Sequence, residues 1–193
     1  MIVKELSAPL VNMKEILRYA GSKEIEEAVL DCLSEASESL SYKVCYEIVS
    51  VSVDTDMVDM DFVRVHSKDL AKNLRGCDKA VIFAATVGTG IDRLIAKYNR
   101  ISPARALCLQ AIGSERVESL CDAFEEKIKK EISEGEVFFR PRFSPGYGDL
   151  SLEIQKEIFS LLDCPRKIGV SLGDSLLMSP SKSVTAIIGF GKK

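Results

Sequence analysis

The sequence predicts an α+β fold in which helices pack against a mixed or antiparallel sheet. Several segments repeat apolar residues at steps of three and four, which is typical of helices with one buried face. Other segments alternate polar and apolar residues and are rich in β-branched side chains, which is typical of strands. The two kinds of segment do not follow the regular strand–helix rhythm of a parallel sheet, so we expect long helices beside hairpin-like strands.

The composition allows one domain. The chain has 193 residues, of which 46% are hydrophobic and 28% charged, and this is enough for one ordinary core with a small lobe beside it. We therefore expect a single unit over residues 1–193, with a helical and hairpin part at about 1–76 and a motif-bearing part at about 77–193.

The charge balance argues against polyanionic partners. Lys and Arg total 26 against 29 Asp and Glu, so there is no net positive field to hold nucleic acid or an anionic membrane surface. Lys4 and Glu5 stand where a signal peptide needs apolar residues, and no apolar run reaches the roughly 20 residues of a membrane span. We expect a cytoplasmic protein with neither a nucleic-acid nor a membrane partner.

Two helices are predicted near the N-terminus. Asn12 followed by Glu15 is typical of a helix start, because the Asn side chain can cap free backbone N–H groups, and Gly21 predicts the end of that helix. Ser22 then predicts the start of a second helix. Its apolar stripe recurs at helical spacing and consists of Ile25, Ala28, Val29, Cys32, Leu33, Ala36 and Leu40.

Extended segments follow these helices. Residues 42–53 and 58–62 have a period of two, and Asp54-Thr55-Asp56 between them has the side chains of a turn, so we predict two strands in a hairpin. A short helix is predicted from Lys68 to Arg75, and Gly76 ends it.

Residues 80–85 form an apolar run that predicts a strand buried on both faces, and the glycine-rich segment Thr86-Val-Gly-Thr-Gly90 follows it. Glycines between a buried strand and a helix can let backbone N–H groups approach an anion, so the segment is a candidate phosphate loop. Arg93 stands where a third glycine would be expected, and no acidic ribose ligand follows at the right distance. A tight strand-to-helix turn is the favoured interpretation, and phosphate binding is the alternative.

A long helix is predicted to start at Ser102 and Pro103, which suit the cap and the first helical position. We predict an interruption near Gly113, and an extended chain after Gly135. The apolar stripe of this helix consists of Leu107, Ala111, Val117, Leu120, Cys121, Phe124 and Ile128. Charged residues predicted to form a solvated face are Glu125, Glu126, Lys127, Lys129 and Lys130.

Metal and nucleophile chemistry is not expected. The six cysteines are scattered, form no C-x-x-C pair and sit in or beside apolar segments, so we predict reduced, packed thiols. The single histidine, His66, is too little for a His-rich metal site, and an isolated histidine at a strand end is usually structural. The sequence contains no recognisable acid–base constellation.

The most informative motifs lie in the last third of the chain. Arg142-Phe-Ser-Pro-Gly-Tyr147 precedes a predicted helix at 152–162, which is followed by Ile168-Gly-Val-Ser-Leu-Gly-Asp-Ser-Leu-Leu-Met178 and Pro180-Ser-Lys-Ser-Val184. With one residue deleted near Asp163, their order and spacing resemble the activation domain of vitamin B12-dependent methionine synthase. That family has an Arg-x-x-Pro-Gly-Tyr loop, a helix, a Gly-x-x-Leu-Thr-Glu-Ser strand ending in Met, and a Pro-x-x-Ser-Val strand.

The resemblance extends more softly upstream, over residues 77–126, to short, free-standing members of the family. It implies an S-adenosylmethionine-binding accessory module in methionine biosynthesis. In this family the module closes over cobalamin carried by a methionine synthase or corrinoid protein, after oxidation to cob(II)alamin, and presents S-adenosylmethionine for reductive methyl transfer. A low-potential donor such as a flavodoxin supplies the electron. The module acts by positioning two cofactors, so we expect no turnover from the chain alone.

Two other functions remain open at this point. A non-catalytic assembly or interaction subunit of a corrinoid methyltransferase would keep the family fold without binding S-adenosylmethionine. An unrelated nucleotide-binding enzyme would instead be built around Gly88 and Gly90. Titration with S-adenosylmethionine separates the first function from the second, and titration with ATP or NAD tests the third.

The resemblance also indicates which residues would bind the ligand. Arg142 can hold a carboxylate through two parallel hydrogen bonds, and Tyr147 offers an aromatic face to a cation or to adenine. The Pro-Gly turn can present its backbone, and acidic side chains suit an ammonium group. The full set is Arg142, Pro145, Gly146, Tyr147, Asp149, Asp174 and Ser175. The alternative is an ordinary turn with a packed tyrosine and an arginine paired to a surface carboxylate.

The sequence departs from the larger family members at three places. Residues 148–151 replace a Pro-x-Cys-Pro segment, and Asp174 replaces a glutamate and is one methylene shorter. The sequence given ends at Lys193, before a stretch that supplies aromatic ligand contacts in the larger members. These differences predict weakened contacts with the corrinoid and with S-adenosylmethionine.

Overall fold

The computed structural model describes residues 1–21, 26–132 and 136–192. A short 3-10 helix lies at Leu152–Ile154. The other elements along the chain are β1 (Ile2–Glu5), α1 (Met13–Ala20), α2 (Glu26–Ser37), β2 (Lys43–Ser50), β3 (Ser52–Asp54), β4 (Met57–Met60), β5 (Val63–His66), α3 (Lys68–Asn73), β6 (Lys79–Thr86), α4 (Gly90–Ile101), α5 (Pro103–Ile132), β7 (Val137–Phe139), α6 (Gln155–Leu162), α7 (Cys164–Ile168), β8 (Ser171–Leu172), β9 (Met178–Ser179) and β10 (Ser183–Lys192).

Five strands form the main sheet, in the order β1-β2-β6-β10-β7, and every neighbouring pair is antiparallel. Strand β6 lies at the centre, where Thr86 faces Lys43 of β2 on one side and Ser183 of β10 on the other. Strands β3, β4 and β5 form a smaller antiparallel sheet, and β8 pairs with β9. The predicted α+β class with an antiparallel sheet is confirmed.

Helices α1, α2, α4 and α5 cover the first face of the main sheet. At its centre Tyr46 of β2 and Phe83 of β6 pack against Phe124 of α5, with ring centroids 5.3 and 4.9 Å apart. Tilted aromatic pairs at this separation stabilise a core beyond the area that they bury. Helix α5 is therefore fixed across the sheet by its own apolar stripe.

Helices α3, α6 and α7 and the smaller sheet cover the opposite face. There Ile82 of β6 and Ile187 of β10 belong to the same apolar cluster as Leu70 of α3 and Ile158 of α6. Because both faces are covered, β6 is buried from Ala80 onwards, which confirms the two-sided burial predicted for residues 80–85.

The predicted limits of the first helix are confirmed. The side chain of Asn12 accepts a hydrogen bond from the backbone N–H of Glu15 at 3.3 Å, and Gly21 ends α1 in the left-handed conformation, with φ 76°. In α2 the buried part of the predicted stripe is Val29, Cys32 and Ala36, whereas Ala28 is exposed and Leu40 follows the helix. Ser22 and Ile25 lie outside the described residues.

The predicted interruption near Gly113 is wrong, because α5 runs unbroken over 30 residues. A Cβ atom at Gly113 would lie 2.9 Å from Cγ of Lys182 and 3.2 Å from Cγ1 of Ile91. The missing side chain therefore serves close approach between α5 and its neighbours. Tertiary packing outweighs the poor helix propensity of glycine, which is only about 1 kcal/mol.

Two extended segments are also divided differently from the prediction. Residues 42–53 contain β2 and the first two residues of β3, because the strand in the main sheet ends at Ser50. The hairpin turn at 54–56 is confirmed, with Thr55 at φ 54° between β3 and β4. The single strand expected between Ile168 and Met178 is instead the β8–β9 hairpin.

Candidate functional site

The loop that carries the Arg-x-x-Pro-Gly-Tyr motif begins as an extension of the main sheet. After β7 the chain continues beside β10: the N–H of Arg140 donates to the carbonyl of Gly189, and the N–H of Phe143 donates to that of Ile187, both at 2.8 Å. Adjacent side chains of an extended segment point to opposite faces. Phe143 consequently packs in the second core, and Arg142 turns to the first face and α5.

Arg142 is held by carboxylates on one side of α5. Its guanidinium contacts Asp122 at 2.5 Å, Glu118 at 2.7 Å and Glu125 at 3.3 Å. Burial opposes the charged form, but the hydrogen bond from Arg142 to Asp122 and the surrounding negative charges prevail and raise the pKa of Arg142. Arg142 is thus paired with carboxylates of α5. This is the arrangement expected by the alternative interpretation, in which the motif is an ordinary turn and its arginine pairs with a surface carboxylate.

A polar cleft of about 280 Å³ opens beside Arg142. It lies between one side of α1 and the middle of α5. Its lining residues are Asn12, Glu15, Arg18, Tyr19, Glu115, Glu118, Ser119, Asp122 and Arg142. Four carboxylates and two guanidiniums line it, and one of the carboxylates, Glu115, is paired with the buried Arg116. The cleft therefore keeps a surplus of one negative charge and suits a cation that also carries a carboxylate for Arg142.

Tyr147 lies in a different depression. Its side chain is 69% exposed and meets the ring of Phe143 edge-on, with centroids 5.4 Å apart. An open groove of about 470 Å³ includes both rings together with Lys72 and Arg140. In this structure the motif therefore places Arg142 and Tyr147 on opposite faces at the sheet edge.

The Pro-Gly turn is built as its sequence predicts. Pro145 is buried, and Gly146 adopts φ 84°, a conformation that favours glycine. The N–H of Gly146 donates to the carbonyl of Leu150 at 2.9 Å, and a Cβ atom at Gly146 would lie 3.0 Å from Cγ of Leu152. These contacts define the loop conformation.

Asp149 is engaged at the start of α3. Its carboxylate accepts hydrogen bonds from the Ser67 hydroxyl, from the N–H of Lys68 at 2.8 Å and from the N–H of Asp69 at 3.2 Å. The hydrogen bond from Ser67, followed by those from the backbone, lowers the pKa of Asp149. Asp149 thus serves as a helix cap supplied by a distant part of the chain.

Asp174 and Ser175 lie at the exposed end of the β8–β9 hairpin. The hairpin closes through a hydrogen bond from the N–H of Gly173 to the carbonyl of Leu177, at 2.9 Å. The charge of Asp174, after the stronger effect of Glu153, contributes to a raised pKa of Lys156 on α6. Both hairpin residues are accessible to solvent and neither lines the Arg142 cleft.

The sequence interpretation did not select the acidic residues of α5. Glu118, Asp122 and Glu125 follow one another at steps of four and three, which places them on one side of a helix. That spacing in the sequence could have identified them as a cluster of carboxylates on one helix face. Glu125, which was predicted on a solvated face, is instead only 16% exposed and contacts Arg142 and Lys129.

The glycine-rich segment before α4 has close neighbours. Gly88 has φ 83°, and a Cβ atom there would lie 2.3 Å from Oγ of Ser41. A Cβ atom at Gly90 would lie 2.0 Å from the carbonyl oxygen of Ser39. These contacts favour a tight strand-to-helix turn, because each glycine has a packing reason that needs no phosphate.

All six cysteines are free and buried, which confirms the prediction of reduced, packed thiols. Burial is the main cause that raises the pKa of Cys32 to about 11, and a thiol in that state is a poor nucleophile. His66 is exposed at the end of β5. Within the described residues, no helix combines the length and apolar character needed to cross a membrane.

Comparison with known proteins identifies a family and a fold that this chain matches. A family model described as "Vitamin B12 dependent methionine synthase, activation domain" matches residues 52–193, which is more than half of the chain. A solved structure described as "Crystal Structure of the MetH Reactivation Domain bound to AdoHcy" aligns with a TM-score of 0.70 at 13% sequence identity, covering 98% of this chain and 78% of that one. At this identity the alignment establishes a shared fold. A search of curated proteins finds no match. On the family match, the chain belongs to the family of vitamin B12-dependent methionine synthase activation domains.

Proposed function

We propose that this protein is an S-adenosylmethionine-binding accessory module that supports reductive remethylation of cob(II)alamin in a cobalamin-dependent methionine synthase. The observation that carries the proposal is the cleft in which Arg142 faces the carboxylates of α5, in a chain of the activation domain family. The AdoHcy-bound relative of the same fold adds support for a ligand of this class.

The residue types of the cleft suit the groups of S-adenosylmethionine. The planar guanidinium of Arg142 can hold the ligand carboxylate by two hydrogen bonds. Glu118 and Asp122 have side chains 44% and 66% exposed, so their carboxylates can accept the ligand ammonium while they remain near Arg142. The surplus negative charge of the cleft also favours the sulfonium cation.

The remaining candidates from the motif have different proposed roles. Pro145 and Gly146 shape the loop. Tyr147 lies in the separate groove on the other face of the sheet edge, so its proposed role is an aromatic contact with adenine outside the Arg142 cleft. Asp174 and Ser175 are available at the hairpin end for polar contacts. We retain Asp149 as a loop-positioning residue, since an ammonium contact would have to replace its three hydrogen bonds to the start of α3.

The proposed contribution of the protein is orientation. The cleft lining includes neither histidine nor cysteine, and its arginines and carboxylates are suited to hold the ligand and exclude alternative poses. The cobalamin of the partner, after one-electron reduction by a low-potential donor such as a flavodoxin, supplies the methyl acceptor. The transfer converts the sulfonium into a thioether and needs no proton from the protein, so we expect no turnover by the isolated chain.

A reactivation experiment tests the proposal. The protein is added to a cobalamin-dependent methionine synthase trapped as cob(II)alamin, with S-adenosylmethionine and a low-potential electron donor. Recovery of the methylcobalamin absorption spectrum is the expected result, and the same mixture without the protein is the control. Titration calorimetry of the isolated protein measures ligand binding separately.

One observation favours a second function. The guanidinium of Arg142 already contacts three carboxylates, which is the arrangement expected if it only ties the loop to α5. A protein of that kind would be an assembly or interaction subunit of a corrinoid methyltransferase. Complex formation without S-adenosylmethionine binding, and without faster remethylation, would support this function and contradict the reactivation proposal.

A further inference from the structure

We infer that the segment 9–12, here called the Leu10 loop, is a docking anchor whose leucine inserts into an apolar recess on the cobalamin-carrying protein. The inference rests on the proposed function, because it takes the partner to be the protein that accepts the methyl group. It assigns a specific contact surface to a segment that lies outside the motif-bearing part of the sequence.

The loop presents apolar side chains to solvent. Leu10 is 94% exposed and Val11 is 44% exposed, and Leu10 is the most exposed large apolar side chain among the residues that the structure describes. A single exposed leucine is common on protein surfaces. Its significance here comes from the way in which its backbone is held.

A buried ion pair fixes the backbone of the Leu10 loop. Arg116 of α5, which is 1% exposed, donates from Nη1 to the carbonyl of Pro9 and from Nη2 to the carbonyl of Leu10, both at 2.7 Å. Glu115, also 1% exposed, accepts the N–H of Asn12 at 2.9 Å and pairs with Arg116. A preorganised loop loses little conformational entropy on binding, so its exposed leucine is well suited to be an anchor.

The position of the loop identifies its partner. Asn12 lines the Arg142 cleft, and it also lines an adjoining groove of about 790 Å³ that runs along the Leu10 loop beside Ser119 and Asp122. Methyl transfer requires the acceptor atom to approach within about 3–3.5 Å of the reacting group. The protein that carries the acceptor must therefore cover the mouth of the cleft, and the Leu10 loop lies on that rim.

The charges around the loop describe the surface that would complement it. Glu126 is exposed and lines the groove beside Leu10, together with Lys14 and with Asp122, which contacts Arg142. A partner with an apolar recess flanked by a Lys or Arg side chain opposite Glu126 would satisfy both the leucine and this carboxylate. Association should accordingly weaken as salt concentration rises.

The test compares Leu10→Ser with Leu177→Ser in the full chain. Leu177 is 73% exposed on the β8–β9 hairpin and lines neither the cleft nor the groove, so it is a matched control for loss of an exposed leucine. Surface plasmon resonance measures binding to a cobalamin-dependent methionine synthase held as cob(II)alamin, and calorimetry measures S-adenosylmethionine affinity. We expect Leu10→Ser to weaken docking roughly ten- to a hundredfold with unchanged ligand affinity, and Leu177→Ser to change neither.

Several results would overturn the inference. Leu10 would be ruled out as the anchor if the Leu10→Ser variant docked with the affinity of the parent protein. It would also be ruled out if Leu177→Ser lost as much docking affinity as Leu10→Ser. A parent dimer that Leu10→Ser converts to a monomer in sedimentation would assign the loop to a second copy instead. A complex that depends on Leu10 but never restores methylcobalamin would uphold the docking surface and refute the reactivation function.

Discussion

The carboxylate of Asp149 accepts a hydrogen bond from the backbone N–H of Lys68 at 2.8 Å, although the two residues are 81 positions apart. The same carboxylate also accepts a hydrogen bond from the Ser67 hydroxyl, so the loop after the Pro-Gly turn and the first turn of α3 hold each other in place. A negative charge at a helix start is favourable, because the free N–H groups of the first turn carry partial positive charge.

Removal of this carboxylate should destabilise the fold in a pH-dependent manner. The folded-state pKa of Asp149 is lowered from its ordinary value of 3.8, chiefly by the Ser67 hydrogen bond. Its stabilisation is therefore present above that ordinary value and is lost as pH falls through the lower, folded-state pKa. Asp149→Ala should unfold at a lower temperature than the parent at neutral pH, and the difference should shrink in acid. Asp174→Ala, at an exposed hairpin end, is the control in circular dichroism melts and should have no such effect.

Arg142→Ala should weaken S-adenosylmethionine binding and leave the protein folded. Loss of a hydrogen bond to a charged ligand group corresponds to about 1.5–3 kcal/mol, or roughly ten- to a hundredfold in the dissociation constant measured by calorimetry. Arg142→Lys should recover only part of the affinity, because a lysine ammonium cannot form the two parallel hydrogen bonds of a guanidinium with a carboxylate. Arg166→Ala, whose side chain is 86% exposed on α7, should bind normally. Unchanged affinity in Arg142→Ala would remove this residue from the ligand site.

Gly90→Ala should lower stability and leave the ligand affinity of the folded protein nearly intact. The new Cβ atom would sit 2.0 Å from the carbonyl oxygen of Ser39, so the backbone must move. Overpacking of this kind costs about 1–3 kcal/mol, which urea titration can detect. Gly173→Ala is the matched control, since its nearest neighbour would lie 3.6 Å away. A folded Gly90→Ala variant without any ligand binding would reopen the nucleotide-site interpretation.

Arg116→Met should be among the most destabilising changes in the protein. It leaves Glu115 buried without its cation, and the loss of one partner from a buried ion pair costs about 3–5 kcal/mol in the free energy of unfolding. Limited proteolysis should also become faster within residues 9–12, which Arg116 holds. Arg18→Met, which breaks an exposed pair with Glu15, should hardly change stability, because solvent screens exposed ion pairs. Equal stability of the two variants would contradict the assigned role of Arg116.

Tyr147→Ala should slow remethylation more than it weakens docking, because the proposed role of the ring is to orient the ligand. Its side chain is 69% exposed, so the melting temperature should hardly change. The recovery of the methylcobalamin spectrum measures the rate of remethylation, and surface plasmon resonance measures docking affinity, both on one preparation. An equal loss in both measurements would place Tyr147 in the protein interface instead.

Local rules predicted the elements whose boundaries depend on nearby residues. Asn12 caps α1 and Gly21 ends it because both act within one helical turn. The unbroken α5 could not be predicted in this way, since the fit of Lys182 against Gly113 brings together residues far apart in the chain.

The candidate site also combines features that are visible in the local sequence with contacts that arise only from the tertiary fold. The loop motif selected Arg142, whereas Glu118 and Asp122 were not selected, although their spacing places both carboxylates on one side of α5. That these groups meet depends on the extended pairing of residues 140–143 with β10, which turns Arg142 and Phe143 to opposite faces. Asp149 was selected for its charge, but its hydrogen bonds to Ser67 and Lys68 arise only from the tertiary fold.

The three carboxylates around Arg142 are an internal competitor for any ligand that carries a carboxylate of its own. A bound ligand would have to share or displace these groups, so we expect its affinity to be lower than an unoccupied arginine would provide. We also expect the helix carboxylates to return to Arg142 as the ligand departs, which would shorten the lifetime of the complex. Under the proposed function the spent ligand must leave after each reactivation, and we expect fast exchange and weak product retention to arise from the same three contacts.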